Sequence, residues 1–373
     1  MAVIKIPCVY MRGGTSKACI FHEKDLPADR SLWKDLFLKV MGTPDVKQID
    51  GMGGTVSSTS KIAVIKKSER DDADVDYTFF QVFIDRPIVG DKMNCGNISS
   101  AVGPFAINEG LIPAVEPITV VRIYNTNTDK LLEAHVRVKD GLAMEYGDAQ
   151  IQGVPGTGSP IDMFFVRPTG AGTGKTFPTG KRKELLEIPG YAPIEATMFD
   201  CANPAVFIRA ADMGLSGKEH VALNNDPAIL AHFERIRAVA AERMGLAASY
   251  QEATEKGIGP LIAFLSPSQE YTGLDGDTYQ ADQMSICCRG LNAGKVHRAY
   301  PMSLGVATAA ACRLEGTIPY ELAKKTESTI VDLGHASGIT TFDVRLDTNG
   351  DIEKVGFIRT ARRIMQGYVY IRE

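Results

Sequence analysis

The chain has 373 residues, of which 44% are hydrophobic and 23% charged, and its formal net charge is −4. This length suits two ordinary domains or one large one, and the composition is typical of a folded globular protein. A slightly acidic chain has no positive field for nucleic acid or an anionic membrane surface, so we predict neither as a partner. No apolar run approaches the roughly 18 residues of a membrane span, and the N-terminal residues lack the pattern of a signal peptide. We therefore predict a cytoplasmic protein.

Strands are predicted along most of the chain, because short apolar stretches alternate with turn signals such as DG and NG. In chain order the stretches are residues 3–11, 61–67, 74–84, 118–125, 134–151, 196–210, 260–267, 341–359 and 367–373. Helical periodicity is found in residues 30–41, 98–110, 227–245 and 304–315. The mixture predicts an α+β protein in which neighbouring strands pair antiparallel.

Segments of the first half recur in the second half in the same order. Residues 94–113 align with 300–319, residues 62–68 with 262–268, and residues 16–21 with 202–207. Internal similarity of this kind indicates a duplicated structural unit. We predict two similar domains, 1–184 and 185–373, each a curved antiparallel sheet around a central helix of small residues.

Cysteine and histidine are too scattered to predict a metal site. The seven cysteines stand at positions 8, 19, 95, 201, 287, 288 and 312 without CxxC spacing, and none of the six histidines lies in an HExxH motif. We expect mostly buried, reduced thiols and no metal. Any catalysis would then use organic side chains.

Two residues of the first half are candidates for proton transfer. Cys95 precedes a helix of small residues, and a helix N-terminus can lower the pKa of a thiol and bind a carboxylate. Lys61 stands between the polar loop 51–60 and an apolar strand, where partial burial can turn a lysine into a base. The sequence also allows structural roles, namely a buried turn cysteine and a solvated lysine.

Three further motifs offer anion-binding chemistry with less support. The loop 11–17, MRGGTSK, has an arginine, hydroxyls and free backbone donors, although turn formation alone would explain it. The stretch 169–176 differs from a phosphate-binding loop in its first residue, Thr169, and Pro178 opposes the helix that should follow, so we do not predict nucleotide binding. Residues 334–338 could be another anion-binding loop or only a turn, and for His297 a structural role is the simpler interpretation.

Taken together, the motifs MRGGTSK, KQIDGMGGTVSSTSK, NCGNISSAVGPFAI, ANPAVF, GHASG and RTARRIMQGYVYI resemble those of the PrpF-like isomerases, and they extend from residue 10 to 371. The resemblance implies a diaminopimelate-epimerase-like fold with two pseudo-symmetric domains. It implies no metal, flavin or pyridoxal phosphate, and a site built on one lysine and one cysteine. Epimerase relatives have one cysteine in each domain, whereas here Pro301 aligns with Cys95 and Leu261 with Lys61.

The activity that the resemblance implies is movement of a C=C bond by a 1,3-proton shift in a small unsaturated di- or tricarboxylate, such as methylitaconate, 2-methylaconitate, oxalomesaconate or aconitate. Lys61 would be the base, and Cys95 the second acid or an orienting donor. The substrate would bind in the cleft between the domains. Assembly into a homo-oligomer is possible. The predicted carboxylate-binding residues are Arg12, Thr15, Ser16, Ser58, Thr59, Ser60, Asn94, Gly96, Asn97, Asn203 and Ser303.

Two other classes stay open at this stage. One is an amino-acid epimerase or racemase, which would invert a stereocentre without moving a double bond. The other is a non-catalytic accessory protein that binds a tricarboxylate.

Overall fold

The computed structural model describes residues 3–91, 94–151, 153–292 and 294–372. The chain forms two compact units, residues 1–166 with 358–373 and residues 167–357. These units differ from the predicted ranges 1–184 and 185–373 at both ends. Residues 167–184 lie in the second unit, and the last strand lies in the first because it pairs along the first strand of the chain, from Val3 opposite Arg372 to Gly13 opposite Ala361.

The strands of the first half of the chain are β1 (Val3–Gly13), β2 (Ser16–His22), β3 (Lys61–Lys67), β4 (Val75–Val82), β5 (Val89–Gly90), β6 (Ile118–Asn125), β7 (Lys130–Lys139), β8 (Leu142–Ala143) and β9 (Ile161–Val166). Those that follow are β10 (Glu184–Leu186), β11 (Ile194–Cys201), β12 (Asn203–Arg209), β13 (Leu261–Pro267), β14 (Tyr271–Thr272), β15 (Thr278–Tyr279), β16 (Ile286–Asn292), β17 (Lys295–Val296), β18 (Ile330–His335), β19 (Gly338–Leu346), β20 (Ile352–Arg359) and β21 (Ala361–Arg372). The helices are α1 (Trp33–Met41), α2 (Gly96–Asn108), α3 (Pro227–Arg243), α4 (Tyr250–Lys256), α5 (Met302–Ala311) and α6 (Ile318–Leu322).

In the first unit, a mixed sheet surrounds the small-residue helix α2. Strand β1 pairs antiparallel with β2 and β21, β3 with β4, β6 with β7, and β7 with β9. Strands β2 and β3 are parallel, and so are β4 and β6. Helix α2 lies very close to β7, since a Cβ on Gly103 would stand 2.8 Å from a methyl group of Val136. Glycine at this position is therefore what lets the helix approach the sheet.

The second unit has its own mixed sheet and its own small-residue helix, α5. Its antiparallel pairs are β11–β12, β13–β16, β18–β19 and β19–β20. Strands β12 and β13 are parallel, and so are β16 and β18. Helix α5 is buried from Leu304 to Ala311. Strands β14 and β15 form a separate two-stranded sheet.

The prediction of antiparallel sheets was therefore wrong for four strand pairs. A parallel pair needs a long crossover, usually a helix, between its strands. In each of the four cases the connection does contain a helix: α1 between β2 and β3, α2 between β4 and β6, α3 and α4 between β12 and β13, and α5 between β16 and β18.

The four predicted helices are confirmed, with small shifts at their ends. Helix α2 begins at Gly96, two residues earlier than predicted, which places Cys95 at its N-cap. The first predicted helix begins with a 3₁₀ turn, Arg30–Leu32, before α1. Helices α4 and α6 were not predicted because they have only 7 and 5 residues, too few for a clear apolar period. None of the described helices is long and apolar enough to span a membrane.

Candidate active site

Lys61 is the first residue of β3, and its side chain is buried, with 8% of the residue exposed. Its Nζ donates to Oε1 of Gln81 over 2.6 Å and lies 5.0 Å from the centre of the Phe79 ring. Among the described residues, no carboxylate forms an ion pair with Lys61. A buried lysine with neutral partners is unusual, because buried charges are normally paired with an opposite charge.

The loop before Lys61 is held by a buried glutamine. Gln48 is 1% exposed, and its Nε2 donates to the hydroxyl of Ser60 over 2.7 Å. Its Oε1 accepts the backbone N–H of Thr55 over 3.1 Å. The hydroxyl of Thr59 donates to the carbonyl of Val56. Ser60 and Thr59 therefore help to hold the loop. The Ser60 hydroxyl accepts from Gln48 and keeps its own O–H, and the predicted carboxylate-binding role of both residues stays a prediction.

Ser58 differs from these two neighbours. It lies in the 3₁₀ turn Ser57–Thr59 and is half-buried. Among the described residues none is a hydrogen-bond partner of its hydroxyl. The hydroxyl of Ser58 is thus available to a ligand.

Cys95 is the N-cap residue of α2 and is half-buried, whereas the other six cysteines are buried. The hydroxyl of Ser99 donates to the carbonyl of Cys95 and to Oδ1 of Asn94, over 3.0 and 3.1 Å, so Asn94 is bound to the first turn of the helix. Below them lies the buried Tyr77. Burial, and then the neighbouring Cys95, raise the pKa of Tyr77 well above its usual value, so that it stays a neutral phenol.

Strand β4 brings the lysine and the cysteine to one face of the sheet. Alternate residues of a strand point to the same side, so Tyr77, Phe79 and Gln81 form one row with a repeat of about 7 Å. Lys61 contacts Phe79 and Gln81, and Cys95 is next to Tyr77. Lys61 and Cys95 therefore stand over neighbouring positions of the same row.

The loop between β1 and β2 docks on the beginning of α2. Nδ2 of Asn97 donates to the Thr15 hydroxyl over 3.1 Å, and Oδ1 accepts the Thr15 N–H over 3.5 Å. Gly14 has φ +51°, and a Cβ there would stand 2.2 Å from Oδ1 of Asn97, so the contact requires glycine. Nη1 of Arg12 donates to the carbonyls of Gly14 and Thr360, each over 2.9 Å.

These contacts concentrate positive charge and free donors near α2. Arg362 stands opposite Arg12 in the β1–β21 pair, and burial together with Arg362 lowers the pKa of Arg12. The backbone N–H groups of Gly96 and Asn97 have no acceptor within the helix, since they belong to its first turn. Ser16 is buried at the start of β2. Sequence reasoning did not assign Arg362 a role, although the motif RTARRIM contains it; its position opposite Arg12 appears only once β21 is paired.

The remaining predicted residues belong to the second unit. Asn203 is the first residue of β12, and Ser303 is the second residue of α5; both are half-buried. At the positions that align with the proton-transfer pair, β13 begins with Leu261 and the N-cap of α5 is Pro301. Neither of these two side chains can transfer a proton.

The stretch 169–176 is filled by a carboxylate of the chain itself. Oδ2 of Asp200 accepts the N–H groups of Gly172 and Thr173, over 2.9 and 2.6 Å, and the hydroxyl of Thr173. The donors that would hold a phosphate in a phosphate-binding loop are thus already used. Nδ1 of His297 accepts the N–H of Ala299, and burial lowers the pKa of this imidazole. Residues 334–338 connect β18 to β19 as a hairpin.

The described residues contain no group of three or more His, Cys, Asp or Glu side chains that could hold a metal ion. The candidate site residues of the first unit are a lysine, a thiol, arginines, hydroxyls and backbone donors. Such groups can move a proton and bind carboxylates.

The chain has an epimerase-like fold. A solved hydroxyproline epimerase from Agrobacterium vitis has a TM-score of 0.54 with this chain over 99% of it and 93% of that chain; at 11% identity, this shows the fold alone. A crystal structure of methylitaconate Δ-isomerase has a TM-score of 0.94 at 42% identity and covers 100% of this chain and 96% of the other.

The sequence defines the family. Residues 3–372 match the family described as PrpF protein, so the chain belongs to the PrpF family. The 3-methylitaconate isomerase of Eubacterium barkeri is 42% identical over 99% of this chain and 98% of its own. The 2-methyl-aconitate isomerase of Shewanella oneidensis is 39% identical over 99% and 97%. The (4E)-oxalomesaconate Δ-isomerase of a Novosphingobium strain is 36% identical over 98% and 97%.

Proposed function

We propose that the protein is a cofactor-independent isomerase that moves a C=C bond by a 1,3-proton shift in a small unsaturated di- or tricarboxylate. The observation that carries this proposal is the buried Lys61, which forms no ion pair with a carboxylate in the described part of the chain and shares one face of β4 with Cys95. The similar isomerases of methylitaconate, 2-methylaconitate and oxalomesaconate support the substrate class.

In this reaction the neutral amine of Lys61 removes an allylic proton from the substrate. The electron pair of the broken C–H bond spreads over the double bond and a carboxylate as a dienolate, and a proton is then added at the far carbon. The proton comes from the Lys61 ammonium in a one-base route or from the Cys95 thiol in a two-base route. In the two-base route, the Lys61 ammonium releases the abstracted proton to solvent and the Cys95 thiolate takes one up before the next turnover.

The dienolate and the substrate carboxylates need positive charge and hydrogen-bond donors that are already in place. In the first unit we assign this role to the following donors: Arg12 and Arg362, the N–H groups at the start of α2, and the hydroxyls of Ser58 and Thr15. Asn203 and Ser303 stay predictions for the second unit.

The site does not favour an amino-acid racemase. A racemase with one base on each side of the carbon would need a second proton-transfer group, and the aligned positions of the second unit hold Leu261 and Pro301. A non-catalytic binding protein would have no need to bury a lysine that has only neutral partners among the described residues on the same sheet face as a thiol.

We also infer that the two units arose by duplication and are pseudo-symmetric. Their strand pairings support this inference, because both follow the same order: an antiparallel pair, a parallel pair, an antiparallel pair, a parallel pair and two antiparallel pairs. In both units the helix of small residues lies in the second parallel crossover. The homo-oligomer and the cytoplasmic location stay predictions.

The decisive test is proton NMR of candidate acids incubated with the pure protein in D2O. We expect the double bond of at least one of methylitaconate, 2-methylaconitate, oxalomesaconate and aconitate to move, with deuterium at the newly protonated carbon. The label should be incomplete if Lys61 serves both carbons, because its ammonium can return the abstracted proton, and nearly complete if Cys95 delivers the second one. Dialysis against a chelator should leave the rate unchanged. Inversion without bond movement, or no reaction with any acid, would contradict the proposal.

A second prediction concerns the reactivity of the thiols. Cys95 should be alkylated first by iodoacetamide, because it is the half-buried cysteine at a helix N-terminus while the other six are buried. A substrate carboxylate bound at α2 should slow the labelling. Peptide mapping gives the site of modification, and Cys95→Ser is the control that should abolish the fast phase. Faster labelling of Cys201 or Cys288 would show that the thiol is misplaced.

A further inference from the structure

We infer that Gln81 is the residue that positions Lys61 for proton transfer and keeps the free amine accessible to it. This inference rests on the proposed function, in which Lys61 acts as the base. Gln81 stands directly opposite Lys61 in the β3–β4 pair, so the contact between them is built into the strand register. Their side chains meet over 2.6 Å.

The orientation of the Gln81 amide follows from its other partners. Nε2 lies 3.1 Å from the carbonyl oxygen of Ser57 and 2.9 Å from that of Ser60. Carbonyl oxygens only accept hydrogen bonds, so the NH2 group must face them. Oε1 therefore faces Lys61 and accepts an N–H from its Nζ. The amide ties the loop before β3 to the lysine at the start of the same strand.

This contact restricts the direction of the Lys61 amine. A lysine side chain has a flexible four-carbon stem, so its terminal nitrogen has no fixed position unless a partner holds it. One N–H of the neutral amine is donated to Gln81, so the lone pair does not point at Gln81, and the Phe79 ring lies 5.0 Å from the nitrogen. The substrate C–H is thus placed on a side of the nitrogen away from Gln81.

The neutrality of Gln81 matters as much as its position. An amide oxygen accepts a hydrogen bond from an amine and from an ammonium, so the contact persists on both sides of the proton transfer. A carboxylate in the same place would favour the ammonium and oppose the formation of a free base. Glutamine therefore orients the lysine without holding the proton on it.

The test uses two substitutions of similar shape. Gln81→Leu removes the acceptor, and Gln81→Glu keeps an acceptor and adds a charge. The matched control is Gln150→Glu, which places the same charge on an exposed residue of the same unit. Steady-state kinetics over pH with the acid that the wild-type protein isomerises, thermal melting, and ¹⁵N NMR of the lysine Nζ are measured for each variant. The Lys61 signal is identified by its loss in Lys61→Met.

We expect Gln81→Leu to lower kcat by about a hundredfold at every pH with little change in KM, as a misplaced catalytic group does. In Gln81→Glu, the pH of half-maximal kcat/KM and the NMR midpoint of Lys61 should both rise by about 1 to 2 pH units, and activity should recover at high pH. Gln150→Glu should match the wild type in the pH of half-maximal kcat/KM and in the NMR midpoint of Lys61. A Gln81→Glu protein that melts normally and keeps the wild-type NMR midpoint would overturn the inference.

The NMR measurement separates this inference from the proposed function. If the wild-type protein isomerises none of the acids, the proposed function fails, yet the effect of Gln81 on the Lys61 midpoint is still measured. If the protein is active and Gln81→Leu keeps the wild-type kcat, the proposed function stands and the role of Gln81 is refuted.

Discussion

Replacing Lys61 by methionine is expected to lower kcat/KM for double-bond movement by at least about a hundredfold, the lower end of what a positioned general base contributes. Methionine has a similar length and no basic nitrogen, so it removes the proton acceptor. The buried site beside Phe79 should accept a thioether, and the melting temperature should stay near that of the wild type. Proton NMR of the substrate in D2O measures the remaining rate.

Lys67→Met is the matched control for this experiment. Lys67 is the last residue of the same strand, β3, and is exposed. The same substitution there should leave kcat/KM within about a factor of two of the wild-type value, because Lys67 has no assigned role in the site. The protein should also stay folded, since surface changes usually alter the free energy of unfolding by less than about 0.5 kcal/mol. A folded Lys61→Met protein with the activity of Lys67→Met would exclude Lys61 as the base.

Replacing Phe37 by alanine should lower the free energy of unfolding by about 3–5 kcal/mol, the usual cost of removing a buried phenylalanine ring. Phe37 lies on α1, is fully buried, and has ring-centre distances of 4.8 Å to Phe80, 6.0 Å to Trp33 and 6.3 Å to Phe21. Helix α1 packs by these contacts against the face of β4 opposite to the row of Tyr77, Phe79 and Gln81. Urea unfolding followed by tryptophan fluorescence measures the loss.

Phe37→Leu provides the comparison, since it keeps most of the apolar volume. Its loss of stability should be clearly smaller, because the cavity left behind is smaller. Both variants should keep their kcat at a temperature where they remain folded, as Phe37 does not face the site. Equal losses for alanine and leucine would indicate that the aromatic contacts, rather than the filled volume, stabilise α1 on the sheet.

Several features of the site could be read from local sequence. The polar loop followed by an apolar run placed Lys61 at the start of a strand, and the small-residue pattern placed Cys95 before a helix; both positions are confirmed. The helix prediction works because the period of apolar residues and the stop signals are local. The sequence did not predict that Gln48 donates to the Ser60 hydroxyl, because the folded loop brings these two residues together. The carboxylate-binding role of Thr59 and Ser60 stays a prediction.

The sequence by itself determined the family, the order of the main elements, and the residue types that can transfer protons. Only the tertiary structure decided which strands run parallel, which unit holds β21, and which side chains surround the base. The physical reason is that these features depend on contacts between residues far apart in the chain. Gln81 meets Lys61 through strand register, and Arg362 meets Arg12 because the last strand returns to the first. Likewise, Asp200 fills the loop 169–176 from a neighbouring strand, a contact that no local pattern encodes.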